Sequence, residues 1–298
     1  MQDYAEGRRA AASALATTMY WLSTRPLGYA QSGFVDEAVL MLDGRRYEVE
    51  SGGWASIVDD RGLFSLNVPD RDTMLPALTS LGASFDQASR MIAVLEDYVD
   101  PDSLRRVNGA ERDDYRELGL TPPRNQWLLT TDELARMPVW RDMRELRERF
   151  QPFAGLRREK VLNPNTAPLD VLRLAWPRVA ESQWLLFDDM RRRMPFANAD
   201  AARAATGIPF DDEHTLFHAS GSLRVTVGAP GMPQALEYNL WLVPDGERAP
   251  WLIHAVGMRS TPTAPAANKG HPSPSVLEHF PNPTPNLIRP SEPAPEAP

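Results

Sequence analysis

The feature that most constrains this chain is the position of its strand-like segments. They stand in two groups, one before Pro69 and one after His214, with a long helical pattern between them. A sheet face must be covered, and strands from both groups can share one core only if the helical stretch leaves and returns at neighbouring points. The expectation is an α+β fold: an antiparallel sheet with a large all-α domain inserted between strands. The competing arrangement is a separate α domain lying between two independent β units. The boundaries read as 1–68 for a first helix and strands, 69–212 for the helical insertion, 213–260 for the returning strands and 261–298 for a Pro-rich disordered tail.

Local patterns support this division. Tyr4 to Leu22 is Ala-rich, with Tyr4, Ala11, Leu15, Met19 and Leu22 at helical steps and Pro26 beyond its end. Asp43-Gly44 between apolar stretches predicts a hairpin turn. A further strand follows through SGGWASIVDD, then a turn at Asp60-Arg61-Gly62 and a short strand over Leu63–Leu66. In the middle block, ASRMIAVLEDYV, TTDELARMPVW, TAPLDVLRLA, SQWLLFDDMRRRM and NADAARAATG carry helical periodicity, with starts predicted at Thr131 and Thr166. SLRVTVGAP, ALEYNLWLV and WLIHAVGMR then read as three strands.

The strongest site candidate is LEDYVDPDSLRRVNGAERDDY, residues 95–115. Asp97, Asp100 and Asp102 fall close together, and Glu111 follows a Gly-Ala step. Carboxylates this near repel one another unless a cation or hydrogen-bond donors separate them. Asp97, Asp100, Asp102 and Glu111 could supply hard oxygen ligands, and calcium is the ion such ligands suit. An EF-hand loop is excluded, because the sixth-position Gly and twelfth-position Glu are missing. The alternative is a solvated Asp-Pro-Asp turn between two helices.

Other constellations are weaker. The segment from VLNPNTAPLDVLRL to FDDMRRRMPFANADAARAATGI resembles small SAM-like or helix-hairpin-helix units, with Arg191, Arg192 and Arg193 on its second helix. Its hairpin, AWPRVAESQ, lacks the glycines that let backbone approach a phosphate, which favours a packing module over DNA binding. A net charge of −8 likewise argues against a general nucleic-acid-binding surface. The chain has no cysteine, so disulfides, thiolate nucleophiles and Cys-type zinc sites are excluded. His214 and His218 lack the Glu of HExxH, and Asp59-Asp60 reads as an exposed hairpin end rather than a catalytic pair. The tryptophans are spread along the chain and read as packing residues.

Four phrases occur in a fixed order: VDDRGLFSLN, the acidic segment, NQWLLTTDELARMP and VLNPNTAPLDVLRL. In that order they resemble the protein K family of bacterial type II secretion, the large minor pseudopilins. Gly62, Leu66 and Asn67 keep the family phrase, whereas Leu63 and Ser65 depart from its commoner Arg and Asn. The resemblance implies a pseudopilin-like N-terminal helix on the antiparallel sheet. It also implies a non-enzymatic role at the tip of the pseudopilus, capping it and helping to initiate its assembly for protein export. The implied partners are the minor pseudopilins called I and J, with no nucleic acid. The implied location is the inner membrane, single pass, with this part in the periplasm and an apolar segment before Met1. A DNA-binding protein and, less well supported, a periplasmic hydrolase with a site at Asp59 or His214 are the alternatives.

Overall fold

The structure is a computed structural model that describes residues 2–33, 38–247, 249–260 and 278–281. The chain opens with α1 (Gln2–Thr24), followed by the two-residue strands β1 (Gln31–Ser32) and β2 (Leu40–Met41), then β3 (Asp43–Glu48) and β4 (Trp54–Asp59). A short β5 (Phe64–Ser65) leads into α2 (Arg71–Ser80), α3 (Phe85–Val99), α4 (Arg112–Glu117) and α5 (Arg144–Phe150). After β6 (Ala154–Gly155) come α6 (Leu169–Ala175), α7 (Glu181–Arg193) and α8 (Ala199–Thr206). The chain returns through β7 (Ser222–Gly228), β8 (Gln234–Leu242) and β9 (Trp251–Ser260), and β10 (Glu278–His279) closes the described residues.

One six-stranded sheet has the order β10-β3-β4-β7-β8-β9. Its central pairing is β4 with β7, antiparallel, from Trp54 opposite Gly228 to Asp59 opposite Leu223. Strands separated by the whole helical stretch are therefore neighbours, and the mixed helix and antiparallel-sheet content is that expected. α1 lies on β4 and β7. Its Ala11, Ala14, Trp21 and Leu22 are buried with Tyr47, Ile57, Val225 and Leu240 in one apolar cluster. Small alanines on the inner side let the helix come close to the sheet, and the larger residues near its end fill the remaining space.

A second apolar cluster belongs to the helices. It gathers Met91, Ile92 and Leu95 of α3 with Tyr115, Trp140, Phe150, Leu172, Trp184 and Phe187. α3 owes its definite start to a capping box: Gln87 N donates to Ser84 Oγ (3.2 Å) and Ser84 N donates to Gln87 Oε1 (2.8 Å).

Several local expectations are corrected. Asp43-Gly44 is not the hairpin turn. Both residues lie in β3, beside an irregularity in its pairing with β4 between Asp43 and Arg46. The turn falls at Glu50–Gly53, where Gly52 takes φ +78° and its N–H bonds Val49 O. The Leu63–Leu66 strand leaves the main sheet, and Phe64–Ser65 pairs in parallel with Ala154–Gly155. The segment at Thr131 is a 3₁₀ turn capped by Thr130, and α6 starts after Pro168 rather than Thr166. The turn expected at Asp60-Arg61-Gly62 is present as a short 3₁₀ turn, and Gly62 has a further role there. It lets the backbone of Thr166 and Ala167 approach so closely that a Cβ would lie 2.9 Å from it. The tail is not wholly unpacked either: residues 278–281 include β10, parallel to β3, and Phe280 meets the rings of Trp21 and Tyr47 edge-on. The remainder of 261–298 lies outside the described residues.

Candidate functional site

The acidic loop hangs between α3 and α4. Asp97, on the last turn of α3, is fully buried. The loop folds back over it, so that Arg106 N donates to both Asp97 oxygens (3.3 and 3.2 Å) and Arg106 Nη1 donates to Oδ1 (2.9 Å). Gly109 closes the same contact, since a Cβ there would lie 1.9 Å from Asp97 Oδ2. Arg106 Nη1 also bonds Asp100, and its Nε lies 3.5 Å from Glu96 Oε2. Burial pushes the Asp97 carboxyl up, and its bonds to Arg106 pull against that shift.

Glu111 shares the loop without sharing its bonds. It is 7% exposed, and neither of its carboxylate oxygens has a well-formed hydrogen bond among the described residues. Its pKa is raised to about 7, first by burial and then by the negative charges of Asp97 and Asp100, with a smaller push from Asp102. Asp100 Oδ1 is likewise buried and unpartnered. Asp102 is exposed and accepts from Leu104 N at 2.7 Å. The four predicted ligands therefore belong to one loop system, with Arg106 bonded to Asp97 and Asp100. They do not close into a cage: among the described residues, the ligating side chains whose atoms come within 4.8 Å of one another are Asp70, Asp72 and His214. In that group His214 Nδ1 lies 3.0 Å from Asp70 Oδ2, a hydrogen-bond contact between the start of α2 and the chain before β7. Beside the loop is a cavity of about 710 Å³, lined by Val68, Val99, Arg106, Asn125, Trp127 and Arg158, among others.

The Asp59-Asp60 pair is not an exposed hairpin end. Both residues are buried. Asp59 Oδ1 accepts from Arg61 N (3.1 Å), Ser220 N (3.1 Å) and Ser220 Oγ (2.5 Å), and Oδ2 accepts from Thr166 Oγ1 (2.9 Å). The carboxylate thus joins the end of β4, the approach to α6 and the approach to β7. Burial pushes its pKa up, and these donors pull it down. Buried Arg157 donates to the carbonyls of Asp60, Leu63 and Val161. Asn67 bridges in the same manner, donating to Leu156 O (2.6 Å) and accepting from Leu128 N (2.6 Å). The bonds of Asp59 tie the end of the sheet to the helical block, those of Asn67 join segments within that block, and Asp59 is left no opening to a substrate.

The basic run on α7 is also committed internally. Arg191 is buried and donates to Pro164 O (2.6 Å) and Ala167 O (2.7 Å), as well as to Asp188. Arg192 and Arg193 pair with Asp188 and Asp189, each at 2.8 Å.

Sequence reasoning missed Arg106, although Arg105-Arg106 inside an acidic run is a visible hint of charge pairing. It also missed Asp70 as the partner of His214; the two are 144 positions apart and carry no shared local signal.

Residues 67–155 match the family described as type II secretion system (T2SS), protein K. The family that the chain resembles is type II secretion system protein K. The protein K match begins at Asn67 and ends at β6, so it takes in α2 to α5 and the whole acidic loop. The fold is similar to a chain in the crystal structure of the GspK-GspI-GspJ complex from the enterotoxigenic Escherichia coli type 2 secretion system. The TM-score is 0.55 at 14% identity, covering 85% of this chain and 94% of that one, a likeness of fold. No curated protein sequence matches the chain. Among the described residues no helix is long and apolar enough to cross a membrane.

Proposed function

We propose that this chain is a minor pseudopilin of type II secretion that caps the pseudopilus tip and helps to initiate its assembly. The observation that carries the reading is where the protein K segment sits. It occupies the helical stretch between β4 and β7, next to a sheet covered by a long N-terminal helix. A helix on a sheet is a unit that can stack with others of its kind. The helical unit, which we delimit at 69–212, adds bulk between two strands and would block a further subunit above. The role is structural rather than catalytic.

The partners on this reading are minor pseudopilins I and J of the same secretion system. The folded part would stand in the periplasm, anchored at the inner membrane. Co-expression with those two proteins should give a complex that survives gel filtration. Elution of this chain alone, while I and J co-elute, would reject the reading.

The same reading includes calcium at the acidic loop. The donor set suits such an ion by its chemistry: Glu111 presents two buried oxygens without a hydrogen bond and Asp100 a third, and a bound ion would have to draw them together with Asp97, since the loop leaves them short of a closed cage. An oxygen-seeking divalent ion would supply what these groups lack. Asp97, Asp100 and Glu111 would hold it, with Asp102 at the exposed edge. Calcium would then brace the loop joining α3 to α4. The check is thermal: calcium at millimolar concentration should raise the melting temperature relative to chelator.

A further inference from the structure

We propose that Arg106 is a built-in counter-ion, which holds the acidic loop in the metal-free protein and is displaced when calcium binds. The inference rests on the calcium reading above and concerns what that ion must compete with.

Arg106 reaches the two carboxylates best placed to meet a cation. Its Nη1 bonds Asp97 Oδ1 at 2.9 Å and also bonds Asp100, while its Nε faces Glu96. A guanidinium carries one positive charge and donates along fixed directions. It therefore satisfies Asp97 and one oxygen of Asp100, and leaves Asp100 Oδ1 and both Glu111 oxygens without a well-formed hydrogen bond. Three ionised carboxylates against one guanidinium still leave a net charge of −2. A calcium ion adds two charges and accepts six to eight oxygens at about 2.3–2.6 Å. It would use the same Asp97 and Asp100 oxygens. Two cations cannot both lie against those atoms without strong repulsion, so occupancy by the ion and by Arg106 is exclusive.

The loop is built to allow the exchange. Arg106 is attached to Asp97 twice, once through its side chain and once through its backbone N–H. The backbone bonds and the close seat of Gly109 keep the loop in place when the side chain leaves. The guanidinium also has somewhere to go, because Arg106 lines the cavity of about 710 Å³ that holds Val99 and Trp127. Arg106 is exposed on one side, so its long stem lets the head turn to solvent at the mouth of that cavity, away from Arg158, which covers the Trp127 ring at 5.1 Å.

The test is calorimetric titration of the protein with calcium chloride, for the unmodified chain and for Arg106→Gln. Without the resident cation, Arg106→Gln should bind calcium about tenfold more tightly and show the larger calcium-dependent rise in melting temperature. Calcium binding to the unmodified chain with equal or weaker binding to Arg106→Gln would overturn the displacement and leave the calcium reading standing. No binding to either would overturn both. If Arg106→Gln does not fold, arginine side-chain NMR on the unmodified chain decides, with Arg106→Lys supplying the assignment. The Arg106 Nε–H signal should move or broaden as calcium is added, and an unchanged signal at saturation would overturn the displacement.

Discussion

Asp59 and Glu111 are both buried carboxylates, and they differ in what surrounds them. Asp59 receives two hydroxyl and two backbone donors from three parts of the chain. The Glu111 carboxylate has no well-formed hydrogen bond among the described residues, only the nearby N–H of Arg112, and sits among other acids. The first is a joint: its charge is spread over donors that tie the end of β4 to the approaches to α6 and β7. The second is a group whose needs are unmet within the protein. A buried charge with every oxygen bonded stabilises a particular arrangement, whereas one left bare seeks a proton or a cation. The contrast separates the part of the molecule that builds the fold from the part that can respond to solution.

The largest expected effect tests the joint. Asp59→Ala leaves Ser220, Thr166 and Arg61 N without their acceptor in a sealed site. Removing one partner of a buried charged network costs about 3–5 kcal/mol. Urea denaturation should show that loss, and a change below about 1 kcal/mol would mean that water replaces the carboxylate, making the joint no different from a surface turn.

Next comes steric fit in the acidic loop. Gly109→Ala places a methyl group against Asp97 Oδ2, in a space where Cβ would be 1.9 Å from that atom. Either the carboxylate or the loop must shift. Overpacking of this kind costs about 1–3 kcal/mol. Alanine tolerated without loss, by the same denaturation measurement, would show that the loop floats free of Asp97, and so is no scaffold for a cation.

The pH dependence of Glu111 is smaller and has a definite sign. Its folded pKa lies at about 7, above the ordinary glutamate value of 4.5. The folded state therefore holds a proton that the unfolded chain releases more readily. The penalty for burying the charge is absent below about 4.5, grows as pH rises towards 7, and is complete above it. In chelator, Glu111→Gln should raise the melting temperature at pH 8 and leave it nearly unchanged at pH 4.5. With calcium at pH 8 the order should reverse, because the substitution removes a ligand charge. A gain independent of pH would assign the effect to packing rather than to the carboxylate.

Much of the fold was legible in the sequence because it rests on period and order. The strand patterns on either side of Pro69–Phe210 anticipated β4 beside β7, and the Ala-rich start anticipated α1. Turn chemistry was less legible. Asp43-Gly44 has the dipeptide of a hairpin, but Gly52-Gly53 four residues past β3 takes the turn, and tertiary pairing decides between them. Phe280 was hidden in a Pro-rich composition, where one aromatic finding a gap beside Trp21 outweighs the average of its neighbours. At the site, spacing alone marked Asp97, Asp100, Asp102 and Glu111 as members of one loop. It gave no sign that Asp59 would be sealed or that Arg106 would stand against two of the acids, since both depend on contacts that form only once the helical block has folded.

The smallest effect belongs to Asp102, and it sharpens the comparison most finely. Asp102 is exposed, and its side chain accepts from Leu104 N at 2.7 Å while its backbone carbonyl accepts from Asn125 Nδ2. Asp102→Asn keeps an acceptor oxygen for the side-chain bond and removes one charge at the surface. In chelator the stability should change by no more than about 0.5 kcal/mol, the range of ordinary surface substitutions. With calcium present, two results are possible. If Asp102 supplies a ligand at the edge of the site, the calcium-dependent rise in melting temperature should shrink in the variant, because a neutral amide oxygen binds the ion less strongly than a carboxylate. If the rise is the same for both proteins, Asp102 is only a turn residue, and the ion depends on the buried set of Asp97, Asp100 and Glu111. Asp100→Asn under the same conditions serves as the internal contrast, since its Oδ1 is buried and unpartnered. Its loss should be the greater of the two. Equal losses would mean that calcium is felt as diffuse charge around the loop and not as a ligated ion, because only ligation distinguishes an oxygen facing the site from one facing water.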